Sequence, residues 1–159
     1  MRSLKHFDDE FALTNRLRTE GTRHLLAAAE VAATRRFVAQ SYTGWPNERQ
    51  GGRIKTEEDP LDSRPPKAMR ETLKAIRALE NLVLNARGVS GTVVRYRSLY
   101  GPGTSLSDSG EIAQLIRQRK FPLVGNGAGV WSFIHVDGCG PRHPARARAW
   151  RTGYLQRPR

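Results

Sequence analysis

The sequence predicts an α/β protein built on a parallel sheet. Its 159 residues are 38% apolar, enough for one globular domain, because a chain of this length buries roughly two-thirds of its unfolded surface. From Gly21 to Tyr96, segments with helical periodicity alternate with compact apolar runs typical of strands. An order of helix, strand, helix and strand favours a parallel sheet with right-handed crossovers and helices on both faces.

The first predicted helix runs from Gly21 to Ala33, because its apolar residues recur at helical spacing and form one face. A strand follows from Phe37 to Ser41, and its compact apolar run predicts burial on both faces. Residues 44–66 are rich in Gly, Pro and polar residues and predict a long loop, a class that is usually functional or poorly ordered. The residues assigned to the buried helix face are Leu25, Leu26, Ala29 and Ala32.

A second helix is predicted from Ala68 to Asn85, with basic residues turned away from its apolar face, and Gly88 closes it. Thr92 to Tyr96 form the next predicted strand, which a Gly-Pro-Gly turn stops. Asp108 and Glu111 are spaced like a capping pair for a third helix. The apolar face of the second helix consists of Met69, Leu73, Ile76, Leu79 and Val83, and the third helix carries Ile112, Leu115 and Ile116.

Two short strands are then predicted at Phe121–Val124 and Trp131–Val136, with a turn at 125–127 between them. His135 does not predict a metal site, because a single histidine on a strand is more often structural and no second histidine stands at ligand spacing. Cys139 is the one cysteine of the chain, so it forms no internal disulfide and is interpreted as a bystander.

Two classes of protein are disfavoured by composition. No run approaches the roughly 18 apolar residues of a membrane span, and the N-terminus lacks the apolar core of a signal peptide. We therefore expect a soluble, cytoplasmic protein without a membrane partner. The net charge of +12 would suit a nucleic-acid-binding protein. Because about half of that charge comes from arginines after Gly138, and no recognised binding motif or interleaved aromatic residues accompany them, nucleic acid is the alternative and not the leading interpretation.

Four segments resemble the NAD(P)-dependent epimerase/dehydratase family of extended short-chain dehydrogenases. TNRLRTEGTRHLLAAAE is similar to the family's fourth helix and RRFVAQS to its fifth strand. VVRYRSLYGPG is similar to the sixth strand with its turn, and WSFIHVDG to the segment usually written F-I-H-V-D-D. The likeness extends over about Phe11 to Asp137, with the segments in the family's order.

The resemblance implies an incomplete Rossmann-type fold that binds NAD or NADP in intact relatives. The family's Gly-rich turn, which receives the pyrophosphate at a helix N-terminus, does not occur in these 159 residues. We therefore expect a truncated chain that binds no cofactor by itself. The expected parts are residues 1–105 as a partial Rossmann domain, 106–137 as a partial substrate-binding region and 138–159 as a tail.

The resemblance also locates the family's catalytic Tyr-x-x-x-Lys pair. If Glu80 is matched to the glutamate four residues after the lysine, Ile76 stands in the lysine position and Thr72 in the tyrosine position. A positioned acid or base typically contributes a rate factor of about 10² to 10⁴, so we expect this chain to be inactive. Ser41 and Tyr42 lie where the family places a hydroxyl partner, and Tyr42 is the candidate for a displaced proton donor.

Other site residues follow from the same likeness. Asn15 matches either an asparagine that orders the active site beside the cofactor or a helix-capping residue. Arg97, Ser98 and Tyr100 stand where relatives contact their substrates, which are nucleotide sugars or similar hydroxyl- or carbonyl-bearing molecules. The fifth strand, without a fourth beside it, would expose an edge and allow self-association. Docking on a separate polypeptide with the missing strands is the other possibility.

The tail does not follow the family's pattern. Between Gly138 and Arg159 it contains six arginines and no acidic residue, a composition that predicts disorder. If one nucleotide is removed after the Asp137 codon, freely chosen GC-rich codons can instead be read as an alanine-rich helix followed by a Tyr-Asn-Val strand, as the family would have. We therefore also hypothesise a frameshift, which the nucleotide sequence tests.

Overall fold

The computed structural model describes residues 4–52, 54–122, 125–127, 129, 131–139 and 154–155. The chain divides into two compact units, residues 1–95 with 153–159 and residues 96–152. The boundary predicted after residue 105 lies inside the second unit. The elements are α1 Phe7–Glu10, α2 Ala12–Arg16, α3 Thr22–Val31, β1 Arg36–Tyr42, α4 Arg70–Leu84, β2 Ser90–Tyr96, β3 Ser98–Tyr100, α5 Glu111–Arg117, β4 Phe133–His135 and β5 Tyr154–Leu155.

The first helical region begins well before its predicted start. α1, α2 and a π-helical turn at Leu17–Gly21 lead directly into α3. The prediction that Leu25 and Ala32 are buried is wrong, because Leu25 is 61% exposed and Ala32 is also exposed. Leu25 lies about 100° around the helix from Leu26, away from the side that packs on α4. The buried or partly buried residues of that side are Thr22, Leu26 and Ala29.

The described residues cover one face of strand β1. Ser41 is buried and its hydroxyl reaches α4, whereas Val38 is 59% exposed. The prediction of burial on both faces is wrong for the face of Val38, because successive side chains of a strand point to opposite sides and α4 packs on the side of Ser41.

Helix α4 confirms the predicted apolar face. Leu73, Ile76, Leu79 and Val83 are buried, while Arg70, Lys74 and Arg77 are exposed. The core cluster consists of Leu79, Val83 and Val93, with Leu26, Phe37, Ala39 and Leu84 packed around it.

Gly91 lets β2 approach α4 closely. A Cβ atom at this position would lie 1.9 Å from the Val83 carbonyl oxygen, which is closer than atoms can pack. Glycine in a strand often marks such a close backbone approach. The contact fixes the distance between the sheet and the helix that carries residues 72 and 76.

The first sheet has the order β1-β2-β5. β5 is antiparallel to β2, with Val93 opposite Leu155 and Val94 opposite Tyr154. These two tail residues form a strand within the segment that was predicted to be disordered. Residues 140–153 and 156–159 of the tail lie outside the described residues.

The loop predicted at 44–66 is held against α4. An isolated bridge joins Asn47 to Leu61, and Arg77 Nη2 donates to the carbonyl oxygens of Leu61 at 3.1 Å and Asp62 at 2.7 Å. The Thr56 backbone N–H, which donates to the Asp59 side chain at 2.6 Å, lowers the pKa of that carboxyl. The described part of this loop therefore has its own hydrogen-bonded structure.

The second unit pairs β3 with β4 in parallel. Only Phe133–His135 of the predicted 131–136 strand is extended, and Phe121 and Pro122 form no strand, while the rest of the predicted 121–124 strand lies outside the described residues. Positive φ angles of 61° at Gly125 and 76° at Gly127 confirm the turn there.

Helix α5 starts without the predicted capping pair. Its N-cap residue is Gly110, which has no side chain to accept a hydrogen bond from the first turn. Asp108 instead contacts the end of the helix, where its backbone oxygen accepts from Arg117 Nη1 at 2.6 Å. A Cβ at residue 110 would lie 2.4 Å from the Ser105 carbonyl oxygen. The chain therefore turns into α5 by a close backbone approach at Gly110.

Candidate functional site

The tyrosine and lysine positions of the resemblance lie on the buried side of α4. Thr72 and Ile76 are each 1% exposed. Thr72 Oγ1 donates to Asp8 Oδ1 at 2.7 Å and accepts from Asn15 Nδ2 at 3.0 Å. The hydroxyl at residue 72 is therefore occupied by protein partners, and residue 76 brings a hydrocarbon where the family has a cation.

Asp8 ties the start of α4 to α1. Its carboxylate accepts from the backbone N–H groups of Glu71 at 3.0 Å and Thr72 at 2.9 Å. These amides lack partners inside the helix, and a side-chain oxygen that accepts from them is the usual N-terminal cap. Here the cap comes from a residue more than 60 positions away in sequence.

Asn15 extends the hydrogen bonds from Thr72 to a cation. Its Oδ1 accepts from Arg18 Nη1 at 3.1 Å, so both ends of the Asn15 amide are engaged. Burial lowers the pKa of the Arg18 guanidinium. The negative charge of ionised Tyr42 acts in the opposite direction and raises that pKa, but by less. We call Asp8, Thr72, Asn15 and Arg18 the polar chain; Arg18 is its end, and the charge of ionised Tyr42 acts on it.

Ser41 belongs to a separate buried network. Its hydroxyl donates to Glu80 Oε1 at 2.7 Å, and Arg95 donates to the same carboxylate through Nε at 2.8 Å and Nη2 at 2.7 Å. Ser41 and Glu80 are both buried. Adjacent Ser41 and Tyr42 therefore have different surroundings, the first inside the core and the second half-buried beside Arg18.

The predicted substrate residues Arg97, Ser98 and Tyr100 belong to the second unit. The Arg97 guanidinium carbon lies 4.8 Å from the centre of the Trp131 ring, a cation–π distance. Its Nε atom is buried without a hydrogen-bond partner among the described residues. Ser98 and Tyr100 lie on β3 opposite Phe133 and His135.

His135 has a structural environment. Its ring lies edge-on to Tyr100 at 5.0 Å, and its Nδ1 accepts from the Asp137 backbone N–H at 3.2 Å. Gly101 has a φ of +111°, and a Cβ there would lie 2.6 Å from His135 Nε2, so only glycine fits this turn. In the described part of the chain no three His, Cys, Asp or Glu residues group as a metal site.

Two further features contain none of the predicted site residues. A cavity of about 330 Å³ in the 44–66 loop region is lined by Glu48, Arg49, Gln50, Asp62, Arg64 and Pro66.

The Cys139 thiol donates to the His135 carbonyl oxygen at 3.6 Å, and burial raises the pKa of this thiol. A higher pKa lowers the thiolate fraction, so the thiol is less reactive at neutral pH.

Sequence reasoning missed Asp8 and Arg18. The signal for Arg18 was its spacing of three residues from Asn15, which places both on one side of a helix. That signal has meaning only when the helix begins before Gly21. Asp8 could not be assigned, because its partners on α4 are distant in sequence.

A family model and a curated relative both match most of the chain. A model described as the NAD dependent epimerase/dehydratase family matches residues 8–139. The chain is 44% identical over 132 residues to 3-diazoavenalumate denitrifying reductase from a Streptomyces species, covering 81% of this chain and 42% of that protein. The matched range includes all four segments of the resemblance, which is therefore confirmed.

Solved structures agree on the fold. MoeE5, determined with NAD and either UDP-glucuronic acid or UDP-glucose, matches with a TM-score of 0.62 and 24% identity over 87% of this chain and 46% of its own. At that identity the likeness shows the fold alone, and it confirms an α/β architecture with a partial Rossmann-type sheet. The chain thus spans less than half the length of these relatives.

Among the described residues, no helix has the length and apolar character needed to cross a bilayer.

Proposed function

Because the chain belongs to the NAD dependent epimerase/dehydratase family, we propose that it contributes the substrate side of an NAD(P)-dependent enzyme that acts on a hydroxyl- or carbonyl-bearing molecule. Nucleotide sugars, which MoeE5 binds, are one such class. We further propose that the 159-residue chain alone neither binds the dinucleotide nor turns over substrate. The burial of Thr72 and Ile76 in the Tyr and Lys positions is the observation on which the second proposal depends.

A family-type proton transfer needs a hydroxyl that faces the substrate and a cation that lowers its pKa. Thr72 faces Asp8 and Asn15 instead, and both its donor and its acceptor capacity are in use. Ile76 is packed in the core and offers no group to a nicotinamide ribose. These two positions therefore do not fit the cofactor.

Tyr42 is the proposed proton-transferring group of the substrate site. It is half-buried, lies at the end of β1 and has the Arg18 cation nearby. Ser41, the other candidate, donates its hydroxyl to a buried carboxylate and is proposed to hold the end of β1 in place. Asn15 is proposed to order this site through the polar chain. Within the second unit, considered by itself, Arg97 is proposed as a substrate contact.

Titration calorimetry of the 159-residue chain tests the proposal. We expect no micromolar binding of NAD⁺ or NADP⁺ and no turnover of UDP-glucose. The control is a full-length family member with its Gly-rich turn, which should bind under the same conditions. Micromolar dinucleotide binding to the 159-residue chain would contradict the proposal.

A further inference from the structure

Arg18 differs in its partners from two other arginines of the first unit, the partly buried Arg95 and the exposed Arg77. Arg95 pairs with the Glu80 carboxylate, and Arg77 donates to two backbone oxygens. Among the described residues, Arg18 has no carboxylate within ion-pair distance, and its hydrogen bond goes to the neutral Asn15 amide.

A guanidinium in this setting has unused binding capacity. It has five N–H donors in a planar fork, and Asn15 accepts from one of its nitrogens. Burial already disfavours the charged form of Arg18, and a buried charge is usually compensated by an opposite one. Because Arg18 is only half-buried, its remaining donors can be reached from solvent.

The neighbouring groups favour an incoming anion. The one carboxylate of the polar chain, Asp8, already accepts from two backbone N–H groups and the Thr72 hydroxyl, which spreads its negative charge over three donors. Asn15 fixes the Arg18 side chain from one side, which reduces the conformational entropy lost on binding.

We propose that Arg18, at the end of the polar chain, is the anchor for an anionic oxygen group of the substrate, a carboxylate or a phosphate. Planar bidentate recognition of these two groups is what an arginine fork does best. The inference rests on the proposed function in that it names a chemical group of the substrate for the same site. It needs no dinucleotide, so its outcome is independent of NAD⁺ binding.

An NMR titration of the chain with four probes tests the inference. Benzoate represents a carboxylate and inorganic phosphate a phosphate. UDP-glucose presents the diphosphate of a nucleotide sugar, and methyl benzoate is the neutral control. We expect at least one anion to shift the Arg18 Nε–H and Asn15 side-chain amide signals saturably, and methyl benzoate to leave them unchanged. Benzoate as the tighter probe would identify a carboxylate, and phosphate or UDP-glucose a phosphate.

Variants separate recognition from general charge. Arg18→Met should weaken the binding of that anion by about ten-fold or more, as the loss of a charge-assisted contact does. Arg18→Lys should fall between, because it keeps the charge and loses the fork. The matched control is Arg16→Met at the end of α2. The exposed Arg16 guanidinium pairs with Glu20 at 3.2 Å, and its loss should leave the affinity unchanged.

Two outcomes would overturn the inference. One is the absence of saturable shifts at Arg18 and Asn15 with every anion in the millimolar range. The other is equal loss of affinity in the Arg16 and Arg18 variants, which would mean that the anion responds only to net charge. A circular dichroism spectrum of each variant checks the fold, and Arg18→Lys decides the question if Arg18→Met does not fold.

Discussion

Glu80 is a charged residue inside an apolar core. It is 5% exposed, and Ser41 and Arg95 donate three hydrogen bonds to its carboxylate. Buried ion pairs contribute little net stability over well-packed hydrophobic residues, but removal of one partner leaves an uncompensated charge. The glutamate used to locate residues 72 and 76 in the sequence therefore also joins β1, α4 and β2.

We expect Arg95→Met to lower the free energy of unfolding by about 3–5 kcal/mol, because Glu80 would stay buried without its cation. Urea denaturation followed by circular dichroism measures the change. The control is Lys74→Met, which removes an exposed pair with Glu71 and should cost less than about 1 kcal/mol. Equal effects of the two substitutions would show that the buried pair contributes no more to the free energy of unfolding than the exposed pair.

The residues of the candidate site could be predicted from sequence only in part. Thr72 and Ile76 were located from their spacing to Glu80, and the structure adds that both side chains are buried. The partners of Thr72 could not be predicted, because Asp8 is more than 60 residues away and no local pattern joins the two. Arg18 was hidden by the predicted helix start at Gly21.

Helix α3 ends in a Schellman motif formed by a residue other than glycine. The Thr34 N–H donates to the Ala29 oxygen at 2.8 Å and the Ala33 N–H to the Glu30 oxygen at 3.0 Å, the two bonds of that motif. Ala33 has a φ of +49°, a left-handed conformation that disfavours side chains with a Cβ. The sequence predicted the end of the helix at Ala33 but not this strain, because glycine is its usual signal.

Ala33→Gly should raise the free energy of unfolding by about 0.5–1 kcal/mol, because glycine adopts positive φ without a steric cost. The matched control is Ala28→Gly inside α3 at an exposed position, which should lower stability by about 1 kcal/mol. Thermal unfolding of both variants gives the comparison. Destabilisation by Ala33→Gly would mean that the left-handed residue is not strained.

The N-terminus of α4 depends on a cap from another helix. Asp8→Ala removes the acceptor for the Glu71 and Thr72 amides and should cost about 0.5–2 kcal/mol in the free energy of unfolding. Asp9→Ala is the control, since Asp9 is exposed and bonds to His6 alone among the described residues. A chemical denaturation curve for each variant decides the matter, and similar losses for Asp8 and Asp9 would remove the capping role.

On the scale of the whole molecule, the order of α3, β1, α4 and β2 could be predicted from the sequence, and so could the family. The four segments of the resemblance were enough because they occur in the family's order along the chain. β5 could not be predicted, because two residues within an arginine-rich tail have no periodicity to read. Because the first helix was predicted to start at Gly21, the sequence did not predict α1, which contains Asp8, or α2, which contains Asn15. The frameshift of the tail stays a prediction.

We predict that the 159-residue chain self-associates through the exposed edge of β1. β1 lies at the edge of the β1-β2-β5 sheet and exposes Val38 on its face, and an apolar edge strand is a template for pairing with another chain. We expect light scattering to detect oligomers, and Val38→Lys to shift them to monomers, because a lysine on an edge strand blocks such pairing. Val31→Lys is the matched control, since Val31 is 90% exposed at the end of α3, outside the strand, and should leave the oligomers intact. A monodisperse monomer before any substitution, or equal dissociation by both lysines, would show that the edge of β1 is not the contact.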